Sequence, residues 1–358
     1  MKNIGIVGCG DISGIYLSNI TKTFKNLKIV GVCDLIPERS EKAAKEYGIN
    51  KIYKDMNELF ADSEIDIVLN LTRPYEHYDV SIAALSAGKH LYTEKPLGAS
   101  FDEAKKIMAL AMEKNLYTGG APDTFLGAGL QTCRKLIDDG AIGSVFGAAA
   151  YMVCRGHESW HPDPEFYYKY GGGPMLDMGP YYLTALVSML GSVKTVTGMT
   201  KISLAERKIT SQPHNGTIIK VDVPTYITGI MNFLNGAIGT IFTTFDVHTA
   251  QVPRIEIYGS EGTMCVPDPN YFEGPVRIFT PETNEFKEQP LMFEYSENSR
   301  GLGLSDMANA IETGKKARAS GELLFHVNEI MEGFHKANDE QRFIEINSYV
   351  ERPVPMDR

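Results

Sequence analysis

Ile4-Gly5-Ile6-Val7-Gly8-Cys9-Gly10-Asp11-Ile12-Ser13 carries a short apolar run into a glycine turn and on toward a helical segment. A strand that runs into Gly-x-Gly can turn tightly and let its backbone approach a pyrophosphate, and the free N–H groups of the next helix then face the anion. Ser13 stands where a third glycine is usual, with Gly14 behind it. Gly8, Gly10, Asp11 and Ile12 are therefore candidate dinucleotide contacts. The glycine pattern alone is weak and an accidental turn is its rival, but the strand-loop-helix context and the acid that ends the next strand strengthen it.

Outward from that turn the chain keeps a regular rhythm. Apolar runs Ile4–Val7, Ile29–Cys33, Ile65–Leu71 and His90–Thr93 alternate with helical spacing over Arg39–Tyr47, Asp79–Ala87 and Phe101–Lys114, each with its own punctuation in Gly48, Gly88 and Ser100. Such alternation predicts a doubly wound parallel sheet. Past Gly119 the pattern changes to β-rich segments at Val145–Cys154, Lys194–Ile202, Thr225–Phe233, Ala237–Phe245 and Arg254–Tyr258, with helices at Leu130–Asp138, Tyr181–Leu190, Ser305–Glu312 and Leu323–Asn338. Turn signals between these strands suit an antiparallel sheet, so the fold class is α/β followed by α+β. The boundary falls at Pro122 and Asp123, giving domains 1–122 and 123–358.

Bulk properties exclude several classes of function. The chain has 358 residues, 43% of them hydrophobic, and a formal net charge of -10 that would repel a phosphate backbone or an anionic membrane. Apolar stretches are too short to span a bilayer, and no signal-peptide pattern opens the sequence, so a cytoplasmic location is expected. Cys9, Cys33, Cys133, Cys154 and Cys265 are odd in number and widely spaced, which fits neither a disulfide framework nor a zinc site. No metal is expected.

The candidate site residues follow the strand ends. Asp34 can accept hydrogen bonds from a ribose diol and would repel a 2′-phosphate, which favours NAD, whereas Arg39 keeps NADP open. Thr72-Arg73-Pro74 with His77 begins where the strand Ile65–Leu71 stops and should meet the cofactor, with helix capping as the rival role for His77. Glu94-Lys95-Pro96 follows His90–Thr93, where Glu94 and Lys95 are candidate cofactor contacts and Lys95 can also aim its ammonium at a substrate oxygen; a solvated Glu-Lys loop is the bland alternative. Further on, Arg155-Gly156-His157-Glu158-Ser159-Trp160-His161 mixes polar and aromatic groups as sugar sites do, although a structural loop remains equally open. His157, Trp160 and His161, with Asp123 at the domain crossover, are the candidate substrate contacts. Gly171-Gly172-Gly173 approaches a helix carrying Asp177.

Gly8-x-Gly10, Asp34, Thr72-Arg73-Pro74 with His77, Ala87-Gly88-Lys89-His90, Glu94-Lys95-Pro96-Leu97, Gly140-x-Ile142-Gly143 and Gly171-Gly172-Gly173 with Asp177 together resemble the glucose–fructose oxidoreductase / inositol 2-dehydrogenase (Gfo/Idh/MocA) family across nearly the whole chain. The resemblance implies an amino-terminal Rossmann domain, a second domain with a large, open, mainly antiparallel sheet, and sheet-mediated homodimers or homotetramers. It also implies NAD(P)-dependent hydride transfer at a secondary hydroxyl of a sugar, glycoside or cyclitol. The family's lysine falls on Lys95 and its aspartate on Asp177, but its histidine four residues later is Tyr181 here. If one helix holds both, Asp177 and Tyr181 share a face, yet a phenol is a poor base near neutrality without a cation beside it. Tyr181, Lys95 and a loop histidine therefore all stand as candidate bases. Other family chemistries, namely reduction of imines, biliverdin or dihydrodiols and redox-cycling glycoside cleavage with retained NAD, stay open, as does a dinucleotide sensor without catalysis.

Overall fold

In the computed structural model, which describes residues 1–357, the first stretch alternates strand and helix in the order β1 (Lys2–Val7), α1 (Ser13–Lys22), β2 (Leu27–Cys33), α2 (Pro37–Tyr47), β3 (Lys51–Ile52), α3 (Met56–Ala61), β4 (Ile67–Asn70), α4 (His77–Ser86), β5 (His90–Thr93), α5 (Phe101–Glu113) and β6 (Thr118–Gly120). The strands form one parallel sheet in the order β3-β2-β1-β4-β5-β6. All four residues of β4 are buried, because helices cover both faces of such a sheet, and this is why its strands read as continuous apolar runs. The strand order reverses between β1 and β4, and in open α/β sheets that switch point is where ligands bind. Helix α2 begins at Pro37, earlier than the sequence reading placed it, because proline at the first helical turn forgoes only an N–H that has no intrahelical acceptor. It ends at Gly48, which adopts the left-handed conformation (φ 68°).

The middle of the chain holds α6 (Ala128–Asp138), β7 (Val145–Val153), α7 (Pro174–Asp177), α8 (Gly179–Leu190), β8 (Val193–Lys201), β9 (Glu206–Lys208), β10 (Ile218–Lys220), β11 (Tyr226–Phe233), β12 (Ile238–Thr244), β13 (Ile255–Gly259), β14 (Thr263–Val266), β15 (Val276–Phe279) and β16 (Phe286–Gln289). After it come α9 (Leu302–Thr313), α10 (Gly321–Glu340) and β17 (Ile344–Glu345). Nine of these strands form a second sheet in the order β16-β15-β14-β13-β7-β12-β11-β8-β17, while β9 and β10 pair apart from it. Only the β7–β12 pairing is parallel, so the sheet is mixed and mainly antiparallel.

Strand β11 alternates exposed and buried residues along its whole length, the signature of a sheet with one covered face. Ile227, Met231 and Phe233 point into the core. The paired glycines Gly198 and Gly229 leave room for the ring of Phe334 from α10, a ring that a β-carbon at Gly229 would strike. Every residue of α8 is buried, as expected for a helix that is apolar on all sides.

These elements gather into two compact units. One comprises Met1–Asp123 with Asn298–Phe325, and the other Thr124–Glu297 with the described residues from His326 onward. The sequence division at 122/123 left the whole later chain in the second domain, but Asn298–Phe325 packs in the first unit. Gly119 forms a bridge with Ser320, Gly120 donates to the carbonyl of Ala319, and Leu324 joins the cluster containing Leu91, Ala104 and Ile107. Among the described residues no helix is long and apolar enough to cross a membrane.

Candidate active site

In the first unit the glycine turn is shaped from within. Gly8 has φ 98°, and a β-carbon there would lie 2.8 Å from the carbonyl carbon of Leu71, so both the conformation and the space require glycine. Gly10 is different: a β-carbon on it would meet nothing within 4 Å. Its backbone therefore borders open space. Helix α1 follows with no side chain capping its amino end and no acid in its first turn. The N–H groups of that turn have no intrahelical acceptors and form a ready site for an anion. Asp11 is exposed and Ile12 half-buried at its edge.

Asp34 is held in place by the backbone, Oδ2 accepting from Cys9 N–H (2.7 Å) and Oδ1 from Ile36 N–H (2.8 Å). Each oxygen retains a lone pair for a further donor. Arg39 is exposed nearby. The donor set and the open space over Gly10 fit a dinucleotide whose pyrophosphate lies on the start of α1 and whose ribose meets Asp34.

The turn after β4 is built on Asn70, which is fully buried. Its Oδ1 accepts from the N–H and hydroxyl of Thr72 (3.2 and 2.7 Å), and its amide donates to the carbonyl of His77 (3.2 Å). Arg73 is exposed and donates to the Tyr75 hydroxyl (3.0 Å), and Pro74 opens a short 3-10 turn. His77, read as a cofactor contact or a cap, is instead fully buried. Its Nδ1 lies 2.8 Å from the carbonyl oxygen of Pro96 and its Nε2 2.9 Å from that of Thr72.

Glu94 departs from its expected role in the same way. Its carboxylate turns inward, Oε1 accepting from the Tyr16 hydroxyl (2.7 Å) and Oε2 from Lys95 N–H (3.1 Å), while Lys95 itself stays partly exposed at the strand end. Asp123, expected at the substrate, is 1% exposed, and its Oδ2 accepts from Gly301 N–H (2.8 Å) and Gly303 N–H (3.0 Å) at the start of α9. Burial pushes its carboxyl up to about 6, against those two backbone bonds and the Arg300 charge. Its placement is that of a helix cap.

In the second unit the loop after β7 folds back on itself. Gly156, with φ 100°, sits against Tyr168, Glu158 and Arg207, where no side chain would fit. Arg207 donates to the carbonyl of Arg155 (3.0 Å), to Glu158 (2.6 Å), to the carbonyl of Phe245 (2.9 Å) and to Asp246, and the Tyr168 hydroxyl bonds the other oxygen of Glu158. This buried network holds His157, itself 8% exposed, whose ring stacks on Tyr167 (3.7 Å, 7° between planes) and meets the edge of Phe245 (4.6 Å). The Nε2 of His157 lies 3.6 Å from Oδ2 of Asp177. Trp160 is tilted against the His157 ring (5.4 Å) and leaves 62% of its surface exposed. Nδ1 of His161 accepts from Asp163 N–H (3.0 Å), so the neutral ring carries its proton on Nε2.

The single helix expected to carry Asp177 and Tyr181 on one face is not formed. α7 ends at Asp177 and α8 starts at Gly179, since Pro180 lacks the N–H that would continue the ladder through this point. Tyr181 is buried at 7% exposure within the first turn of α8. Sequence reading placed His157 and Asp177 in the site separately but missed their pairing, and it missed Tyr16, Asn70, Tyr167 and Arg207 altogether. The only trace of these in the sequence is their residue type: the partners of Tyr16 and Arg207 are distant in the chain, and those of Asn70 and Tyr167, though nearer, meet them only through the folded turn or loop.

A dinucleotide-binding first unit and a polar, aromatic-walled second unit define a nucleotide-dependent oxidoreductase architecture. The model for the oxidoreductase family with an NAD-binding Rossmann fold, GFO_IDH_MocA, matches residues 2–119, and the model of the GFO/IDH/MocA C-terminal domain matches residues 130–265. The chain belongs to the Gfo/Idh/MocA family of oxidoreductases. It is 32% identical over 151 residues to the inositol 2-dehydrogenase/D-chiro-inositol 3-dehydrogenase of Lactiplantibacillus plantarum, a match spanning 40% of this chain and only 41% of that one. It is 23% identical over 323 residues to the myo-inositol 2-dehydrogenase of Thermotoga maritima, covering 89% and 91% of the two chains. A levoglucosan dehydrogenase solved with NADH and levoglucosan superposes with a TM-score of 0.81 at 20% identity, covering 96% of this chain and 99% of that one.

Proposed function

We propose that the protein is an NAD-dependent dehydrogenase that oxidises a secondary hydroxyl of a sugar, glycoside or cyclitol, or reduces the matching ketone. The pairing of His157 with Asp177 carries the reading. A histidine that takes up a hydroxyl proton becomes charged, and a carboxylate at ion-pair distance stabilises that charge and fixes the ring. Lys95 stabilises the oxygen as it becomes an alkoxide. Bound NAD supplies the hydride acceptor. The dinucleotide cradle at Gly8 and Gly10, the restrained carboxylate of Asp34 and the family's NAD-binding Rossmann model support NAD over NADP.

The exposed face of Trp160 suits the C–H groups of a saturated ring, with His161 as a hydrogen-bonding neighbour. The relatives' names, inositol and levoglucosan dehydrogenases, point to the same substrate class. Met199, Tyr226, Ile230 and Ile238 line the uncovered face of the second sheet. Apolar area of that extent supports a homodimer or homotetramer, which a monomeric mass in sedimentation would overturn. The five cysteines are all unbridged, which supports a cytoplasmic location, to be checked by fractionation.

The test is absorbance at about 340 nm with NAD or NADP against a panel of inositols, anhydrosugars and glycosides, with products identified by mass spectrometry. Reduction of NAD with formation of a ketone two mass units below its substrate is expected. Binding with no reduced nicotinamide on any substrate would leave a sensor, and a cleaved glycoside would leave the redox-cycling chemistry.

A further inference from the structure

We infer that His77 is a positioning residue that fixes the aim of Lys95 by clamping the turn after β4 to the turn after β5, an inference that rests on the role proposed for Lys95. The ring is wholly enclosed, so neither cofactor nor substrate touches it. Its two nitrogens instead lie at hydrogen-bond distance from two main-chain carbonyls, Thr72 at 2.9 Å and Pro96 at 2.8 Å. A main-chain carbonyl only accepts, so both contacts are hydrogen bonds when each nitrogen carries a proton; burial opposes that second proton and the two carbonyls favour it.

Pro96 is the residue after Lys95, and the residue before it is held as well. Glu94 N–H donates to the carbonyl of Asn70 (2.9 Å), while the Glu94 carboxylate receives the Tyr16 hydroxyl on one oxygen and Lys95 N–H on the other. The main chain of Lys95 is thus tied on its amino side by Glu94 and on its carboxyl side by the His77 contact at Pro96, whose ring further restricts φ. The far end of the clamp is equally firm, since Thr72 is bonded twice to the buried Asn70. A flexible side chain such as lysine is directed only as well as the backbone beneath it. Loss of the imidazole would free the carboxyl side of that backbone, while Thr72 keeps its two bonds to Asn70.

The test compares His77→Gln, Lys95→Ala and the double variant in steady-state kinetics, NAD calorimetry and thermal melting. His77→Gln is expected to lower kcat about tenfold, to leave the NAD Kd within about twofold, and to add no further loss in the Lys95→Ala background, because groups acting through one another are not additive. A raised NAD Kd with intact kcat would make His77 a cofactor contact and overturn the inference. A lowered melting temperature with intact kcat would make it merely structural, and losses that add in the double variant would break the link to Lys95. Should Lys95→Ala alone turn over at the wild-type rate, the reading of Lys95 falls, and this inference with it. His77→Asn serves in the same scheme if the glutamine variant fails to fold.

Discussion

His157 and Asp177 meet because Arg207 and Tyr168 pin the loop from Arg155 to Glu158, and because the chain breaks at Gly179-Pro180 just after Asp177. The presence of both residues was legible in the sequence, but their pairing was not, since it depends on a buried guanidinium supplied from β9. Tyr181 is the converse case. Four-residue spacing suggests a shared helix face, whereas proline in the first turn of a new helix resets the geometry. His157→Gln is therefore expected to lower kcat by about a hundredfold or more, as loss of a general base does. Tyr181→Phe should stay within about threefold of wild type. Stopped-flow measurement of both variants decides the matter, and reversed effects would return the proton to Tyr181. Glu94, His77 and Asp123 teach a related lesson: motif residues at strand ends can serve the loop's own architecture, which only their partners reveal.

Among the elements, four of the six parallel strands were the most legible, because burial on both faces leaves apolar runs such as Ile67-Val68-Leu69, while the very short β3 and β6 were not read. Short or polar strands such as β9, β16 and β17 left no periodic signal. Helix α10 shows how an element is tied down by a group that composition cannot flag. His326 Nε2 accepts from Val193 N–H (3.0 Å), so the neutral ring donates through Nδ1 to the Ser348 hydroxyl (2.8 Å). Protonation would place two N–H groups face to face. Burial accordingly pushes this histidine down to about 4, against the pull of Glu329.

The folded state thus binds fewer protons than the unfolded chain, in which histidine titrates near its ordinary value of about 6.5. Stability from this group is complete above that value and declines as pH falls toward about 4. The loss should approach roughly 3 kcal/mol. His326→Gln, whose carbonyl can still accept from Val193, should flatten that part of the profile in urea denaturation between pH 7 and 4.5. A variant with the wild-type slope would show that His326 is not the group responsible.

For the molecule as a whole, the order of architectures, a parallel α/β sheet first and a larger mixed sheet second, could be read from the change in periodicity past Gly119. The return of Asn298–Phe325 to the first unit could not, because nothing local in Ser305–Glu312 or its flanks distinguishes which sheet it will pack on. The proposed function rests on a nicotinamide dinucleotide lying on the turn between β1 and α1. Gly10 isolates that proposition, since a β-carbon placed there meets nothing within 4 Å beyond its chain neighbours and the residue lacks the positive φ that would strain a side chain. Calorimetric titration of NAD into Gly10→Val, with a thermal melt alongside, should show an unchanged melting temperature and NAD affinity reduced about a hundredfold or more, because the close approach of backbone to pyrophosphate is lost. Wild-type affinity in a fully folded Gly10→Val protein would contradict the account.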